Sequence, residues 1–406
     1  MSAVVDFKGL RQGVAAVLTR RGLLFHDALR WRLFLVRHGH APQAAFDFLT
    51  QHGLVEGAEA PEPAPRASQL FSVSRDEAPA GGFVFAEGAR FQCSGCGTSC
   101  RSFHLGPLLP ADQERLLALP WAGTPHEARR FFTDRQGAVL DDAQRLDGRE
   151  VFLRRENAAC QFLRADNLCE VHARFGAAQK PHMCRAFPIL LRASPGGVVA
   201  GVRLGECARA PEAAGGPLLR DDPEAIKALW GELDKVSMLP PQVWLTPRTL
   251  VPWDEYDALE RKLLASAPAG SGTAFLLRCL EALHAAPPAP APLLELREWI
   301  LPPGLPAAPA AALDAAALAL DERLARLALF SKEAFTHPDV QDGLAHLLVA
   351  AWLSRERALD QAGREGLRLA APRHLNDAAR FVSTVPLREH LKACGLDPLA
   401  VAAALR

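Results

Sequence analysis

The sequence predicts an α+β protein: a small mixed module dense in cysteine, flanked by an N-terminal helical segment and a mostly α-helical C-terminal region. Three observations predict it. Apolar residues recur three and four apart in GVAAVLTRRGLLFHDALRWRLFLV (13–36), the period of a helix face. Seven of the nine cysteines fall between residues 93 and 207. From about residue 220 helical periods and helix-start residues return. These divide the chain into a helical segment (1–54), a linker (55–69), the cysteine module (70–215) and a helical region (216–406).

Taken in order, VEGAEAPEPAPRAS (55–68) is rich in Pro, Ala and charge, which marks a linker. LLPADQERLLAL (108–119) and TPHEARRFF (124–132) read as short helices, the second with Thr124 as cap and Pro125 at its first position. REVFLRREN (149–157), CQFLRADNLCEVH (160–172) and ILLRASPGGVVAGVRL (189–204) read as strands, and their ADN and SPGG turns make the last two hairpins. DDPEAIKALWGELDKV (221–236) opens a helix with Asp222 as cap and Pro223 in the first turn. Further helices are expected at 252–266, 273–285, 311–330, 338–360 and 386–394. The Pro/Ala-rich stretch 285–311 divides them.

Composition removes some functions. Lys+Arg and Asp+Glu number 46 each in 406 residues, so no global field favours nucleic acid or an anionic membrane. The Arg pairs at 20–21, 129–130 and 154–155 are not interleaved with aromatics and read as solvated faces or ion pairs. The longest apolar run, LLVAAWL (347–353), falls short of the ~20 residues of a membrane span. Asp6, Lys8 and Arg11 precede any apolar run, unlike a secretory signal. The cytoplasm, with its reducing poise, is the expected compartment. Oligomeric state is left open.

FQCSGCGTSC (91–100) spaces its thiols C-x2-C-x3-C. Disulfides need an oxidising compartment, and seven is odd; unrelated buried thiols would not bunch this way. Metal binding accounts best for Cys93, Cys96, Cys100, Cys160, Cys169, Cys184 and Cys207. A C-x2-C pair puts two thiolates on one loop, and Gly95 and Gly97 let the backbone turn toward them. Four thiolates serve zinc or a [4Fe–4S] cluster. Cys93, Cys96 and Cys100 are the first choices and Cys184 the distant one. Cys160, Cys169 and Cys207 complete the site or build a second; His104, His172 and His182 are reserve ligands. The order of spacings is the reverse of the radical-SAM C-x3-C-x2-C. Cys279 and Cys394, in helical patterns, read as apolar filler. Arg185 either offsets thiolate charge or pairs with a surface carboxylate.

CSGCGTSC, then LLPADQERL, then CQFLRADNLCEVHARFGAAQKPHMCRAFP together resemble the YkgJ-like cysteine-cluster family, the zinc- or iron-chelating domain. Cys93 and Cys96 match its opening pair, Cys100 its last thiol there, and Cys160 and Cys169 its hairpin pair. Pro181, Cys184, Arg185, Phe187 and Pro188 match its closing segment. The likeness covers residues 91–207. Ser99 stands where the family usually has a Cys, and His172 where Tyr is common. That family includes flagellin lysine N-methylases. The resemblance therefore implies a protein-lysine methylase that uses S-adenosylmethionine on a flagellin-like protein, and with the thiol count it favours a [4Fe–4S] cluster over zinc. The alternative is a non-catalytic structural or redox-sensing metal module. The residues themselves show no GxGxG turn after a strand.

LFLVRHGHA (33–41) copies the opening of the histidine phosphatases, in which His38 would attack phosphorus and Arg37 bind its oxygens. That fold needs a long α/β sheet, and here a Pro-rich stretch follows at once, so the motif stands as a remote alternative.

Overall fold

A computed structural model describes residues 4, 5, 7–62, 64–79, 81–87, 89–91, 93, 95–203, 217, 219–283, 311–384, 387–394 and 396–405. Helices and strands are both well represented, and the protein is of the α+β class. The chain forms two compact units. The larger holds Met1–Ala89, Leu190–Gly205 and Asp234–Arg406; the smaller holds Arg90–Ile189 and Glu206–Leu233. Among the described residues no helix is long and apolar enough to cross a membrane.

The N-terminal segment is not the helix expected from its spacing. It is a four-stranded antiparallel meander, Val4–Val5, Val14–Leu18, Gly22–Asp27 and Arg32–Arg37, followed by the helix Pro42–Gln51. The reason is burial on both faces. Leu24, Phe25, His26 and Asp27 are consecutive and all buried, so the alternation that marks a half-exposed strand is absent. Gly22 sits where a Cβ would meet the Val36 carbonyl oxygen at 2.0 Å. The sheet closes on the helix through Val14, Ala16, Phe25, Val36, Leu49 and Leu54.

The expected linker is a packed strap over its described length. The Ala64 amide donates to the Leu29 carbonyl at 2.7 Å. The Arg66 guanidinium lies 4.2 Å from the Trp244 ring centre. Gln69, fully buried, donates to the Trp244 carbonyl at 3.1 Å and accepts from its amide at 2.8 Å.

A five-stranded sheet follows, in the order Phe71–Ser74, Lys235–Met238, Ile189–Ser194, Gly197–Val202, Phe83–Phe85. The SPGG hairpin is present as its third and fourth strands. The chain leaves this sheet twice, after Phe83–Phe85 and after Gly197–Val202, and residues of the smaller unit follow each departure. The C-terminal helices form at Trp253–Leu264, Gly272–Ala282, Ala315–Phe330, Val340–Arg364 and Leu387–Ala393, near their expected places. Two more, Pro372–Thr384 and Pro398–Ala404, and the hairpin Gln242–Thr246/Thr249–Pro252 were not anticipated. The stretch 284–310 lies outside the described residues. Cys279 is fully buried in the core around Trp253, Tyr256, Phe275 and Phe335, as a filler should be; Cys394 is exposed instead.

In the smaller unit Pro110–Ala118 is helical as expected. Its core gathers Trp121, Phe131, Phe162 and Val171; Trp121 stacks on Phe162 at 5.4 Å and donates to the Leu116 carbonyl. Residues 124–132 are not a helix. Thr124 Oγ1 donates to the Trp121 carbonyl and accepts from the His126 amide, which closes a turn. Phe132–Thr133 then pairs with Phe152–Leu153. The strand expected through Glu170, Val171 and His172 is the start of a helix, Glu170–Phe175.

Candidate metal centre

The first cysteine loop is shaped by two glycines. Gly95 and Gly97 have φ of +65° and +69°, a region that costs an L-residue about 1–2 kcal/mol. Gly97 ends the loop and starts the short helix Thr98–Ser102, which carries Cys100. A Cβ on Gly97 would lie 3.2 Å from the Asn167 side chain, and one on Gly95 3.2 Å from Leu168. Both neighbours belong to the turn between Cys160 and Cys169. Arg101 reinforces this contact with a 2.6 Å hydrogen bond to Asn167 Oδ1.

That turn is closed by the Leu163–Cys169 bridge, by the Arg164 amide donating to the Leu168 carbonyl at 2.9 Å, and by Asn167 at φ +65°. Cys160 ends the strand Ala159–Cys160, paired with Arg155–Glu156. Arg155 also donates to the carbonyls of Arg101, Phe103 and Ala158, which ties the first cysteine segment to the second. Cys184 rides on the helix His182–Ala186. The start of that helix is held by Asp112, which accepts the His182 amide at 2.9 Å.

Six of the seven singled-out cysteines, Cys93, Cys96, Cys100, Cys160, Cys169 and Cys184, line one cavity of about 670 Å³ in the smaller unit. Cys207 lies outside the described residues. None of the described cysteines is in a disulfide. Among the described residues no three thiol sulfurs lie within 4.8 Å of one another. Ser99, His104 and His172 also reach the wall. His182 does not; its Nε2 lies 2.9 Å from the Leu229 carbonyl oxygen. Aromatic and aliphatic side chains, among them Phe91, Phe103, Phe187 and Met183, fill the gaps between the thiols.

Burial sets the charge state of these thiols. It pushes Cys184 up to about 12, against the nearby Lys180 ammonium. It lifts Cys160 well above the ordinary thiol value and raises Cys100, with Cys169 adding to the effect. A reactive nucleophilic cysteine is held in the opposite direction. Soft, inwardly directed thiols that ionise only with a cation beside them suit metal ligation.

Arg185 takes the second of its two expected roles. Both terminal nitrogens donate to the Glu232 carboxylate, and Nε donates to the Lys180 carbonyl at 2.9 Å. The wall also includes Ala225, Ala228 and Leu229, from the helix Pro223–Gly231. The Asp222–Pro223 signal located that helix, but nothing in its composition aims it at the cysteines. Arg37 and His38, both exposed, stand at the end of an outer strand of the antiparallel meander, without the parallel α/β surroundings of a phosphatase.

No family model, curated protein or solved structure matches this chain.

Proposed function

We propose that the chain is a metal-centre protein of the YkgJ-like kind, whose cysteine-lined cavity holds a thiolate-ligated [4Fe–4S] cluster. The observation that carries this reading is the convergence of six thiols, from three separated stretches of chain, on one cavity. Four thiolates would hold it: Cys93, Cys96 and Cys100 are the first choices and Cys184 the distant one, while Cys160 and Cys169 complete the set or build a second site. The resemblance and the thiol count favour the cluster over zinc: a cubane takes four thiolates, each at a different iron, and six line the cavity. When bound, the cluster would supply one-electron chemistry or a Lewis-acidic iron. The protein's part is to exclude water with its aromatic wall and to hold the ligands through Arg155, Asp112 and the Arg185–Glu232 pair. Such a centre belongs in a reducing compartment, which we take to be the cytoplasm.

The reaction attached to the centre, methyl transfer from S-adenosylmethionine to a lysine of a flagellin-like protein, rests on the resemblance. A non-catalytic structural or redox-sensing role is the second reading. It draws on Gly197, whose missing side chain serves contact with Gly82 beside the hairpin turn, leaving no nucleotide loop there. Anaerobic purification followed by iron, acid-labile sulfide and zinc analysis tests the centre. About four irons and four sulfides per chain are expected, with loss in Cys184→Ser. Stoichiometric zinc without sulfide would exclude the cluster, and metal-free folded protein would exclude both metals. Methyl transfer to purified flagellin, absent in the same variant, tests the reaction.

A further inference from the structure

A second group of metal-type donors lies in the larger unit, far along the chain from the cysteines. The helix Val340–Arg364 starts at Asp339, whose side chain accepts the Asp342 amide at 2.9 Å. That cap fixes the first turn, so Asp342 and His346, four residues apart, rise on one face. His337 comes from the turn before the helix. Gly343 presses the two together: a Cβ there would lie 2.3 Å from the Ala334 carbonyl oxygen.

The three side chains meet as a result. His337 Nδ1 lies 3.0 Å from one carboxylate oxygen of Asp342, and His346 Nδ1 lies 3.5 Å from the other. The two rings are 4.1 Å apart, tilted by 36°. One donor atom from each residue falls within 4.8 Å of the other two. Within the protein, His346 Nδ1 also lies 2.9 Å from the Asp342 carbonyl oxygen, while its Nε2 is buried with no hydrogen-bond partner. Two imidazoles this close repel if both are charged, so at least one keeps a lone pair to offer.

We propose that His337, Asp342 and His346 bind a first-row divalent cation of the zinc type. Two imidazoles and one carboxylate suit zinc, iron, cobalt or nickel and disfavour calcium and magnesium. Three protein ligands leave a coordination position for water. Asp342, a quarter exposed, is the side from which an ion enters. A bound ion would take the place of the direct His337–Asp342 contact and tie the turn carrying His337 to the helix.

The test uses the full chain purified anaerobically, titrated with zinc chloride by calorimetry and with cobalt(II) by visible spectroscopy. Wild type and Cys184→Ser should each take up one ion at this site. The cobalt adduct should show ligand-field bands without thiolate charge transfer. Asp342→Asn, which keeps the carboxylate's shape, and the partly exposed His337→Gln should each weaken uptake by roughly 100-fold or more, with circular dichroism unchanged. Uptake equal in wild type and both variants would overturn the proposal. So would the absence of uptake, or cobalt bands of thiolate character alone, with no ligand-field bands left in Cys184→Ser.

Discussion

Ser99 sits on the cavity wall in the first turn of the helix Thr98–Ser102, where the resemblance leads one to expect a thiol. Six described thiols already face that cavity, and a cubane takes four. For the cluster proposed above, the position is therefore surplus to the ligand set. Ser99→Cys changes an oxygen to a sulfur with little change of shape, and its effect on stability should stay within about 0.5 kcal/mol. Iron and sulfide per chain should equal wild type. A rise in metal content would show instead that the natural cavity lacks a ligand. Residue identity foretold much here: the glycines flanking Cys96 do adopt the left-handed backbone, and six of the spaced cysteines line one cavity. The role of Arg185 depended on a carboxylate, Glu232, that no local motif connects to it.

At the scale of elements, the sequence was informative where a helix has one exposed face and a cap. Asp222 accepts the Ala225 amide at 3.1 Å, and Pro223 opens the helix as its position indicated. It misled where both faces are covered, as in Gly22–Asp27, because a continuous apolar run satisfies a helical and an extended period alike. Buried polar groups between elements were also invisible in the pattern. Asp321, in the helix Ala315–Phe330, is 4% exposed and accepts the Gly272 amide at 2.8 Å, at the start of Gly272–Ala282. Burial lifts its carboxyl from 3.8 to about 6, against those amide bonds and the Arg355 charge. Between these values the native chain holds a proton that the unfolded chain has lost. The contribution is therefore full below pH 3.8 and falls as pH rises through about 6. That difference corresponds to about 3 kcal/mol. Asp321→Asn keeps an acceptor for Gly272 and does not titrate. Urea unfolding at pH 4 and pH 7 should show wild type losing up to about 3 kcal/mol relative to the variant; parallel curves would refute the assignment.

For the whole molecule, the consequence is where the cysteine module begins and ends. Composition placed it at 70–215, one contiguous block. The strand Phe71–Ser74 belongs instead to the larger unit, and the smaller unit is completed by residues up to Leu233. A chain that visits one unit twice hides this from any linear reading, since no composition shift marks the helix carrying Ala225, Ala228 and Leu229 as part of the cavity wall. Leu229, 8% exposed, lines the cavity with its side chain and accepts from His182 with its backbone. Val73, 7% exposed, sits in Phe71–Ser74 inside the block that composition assigned to the module. Truncating each to alanine separates the two descriptions. Leu229→Ala should cost about 2–4 kcal/mol and lower iron per chain, because it opens the wall beside the cavity thiols while leaving the His182 contact intact. Val73→Ala should lose stability too, yet keep its iron, since its side chain supports a sheet of the other unit. Metal loss in Val73→Ala with retention in Leu229→Ala would restore the contiguous module and remove the second segment from the site.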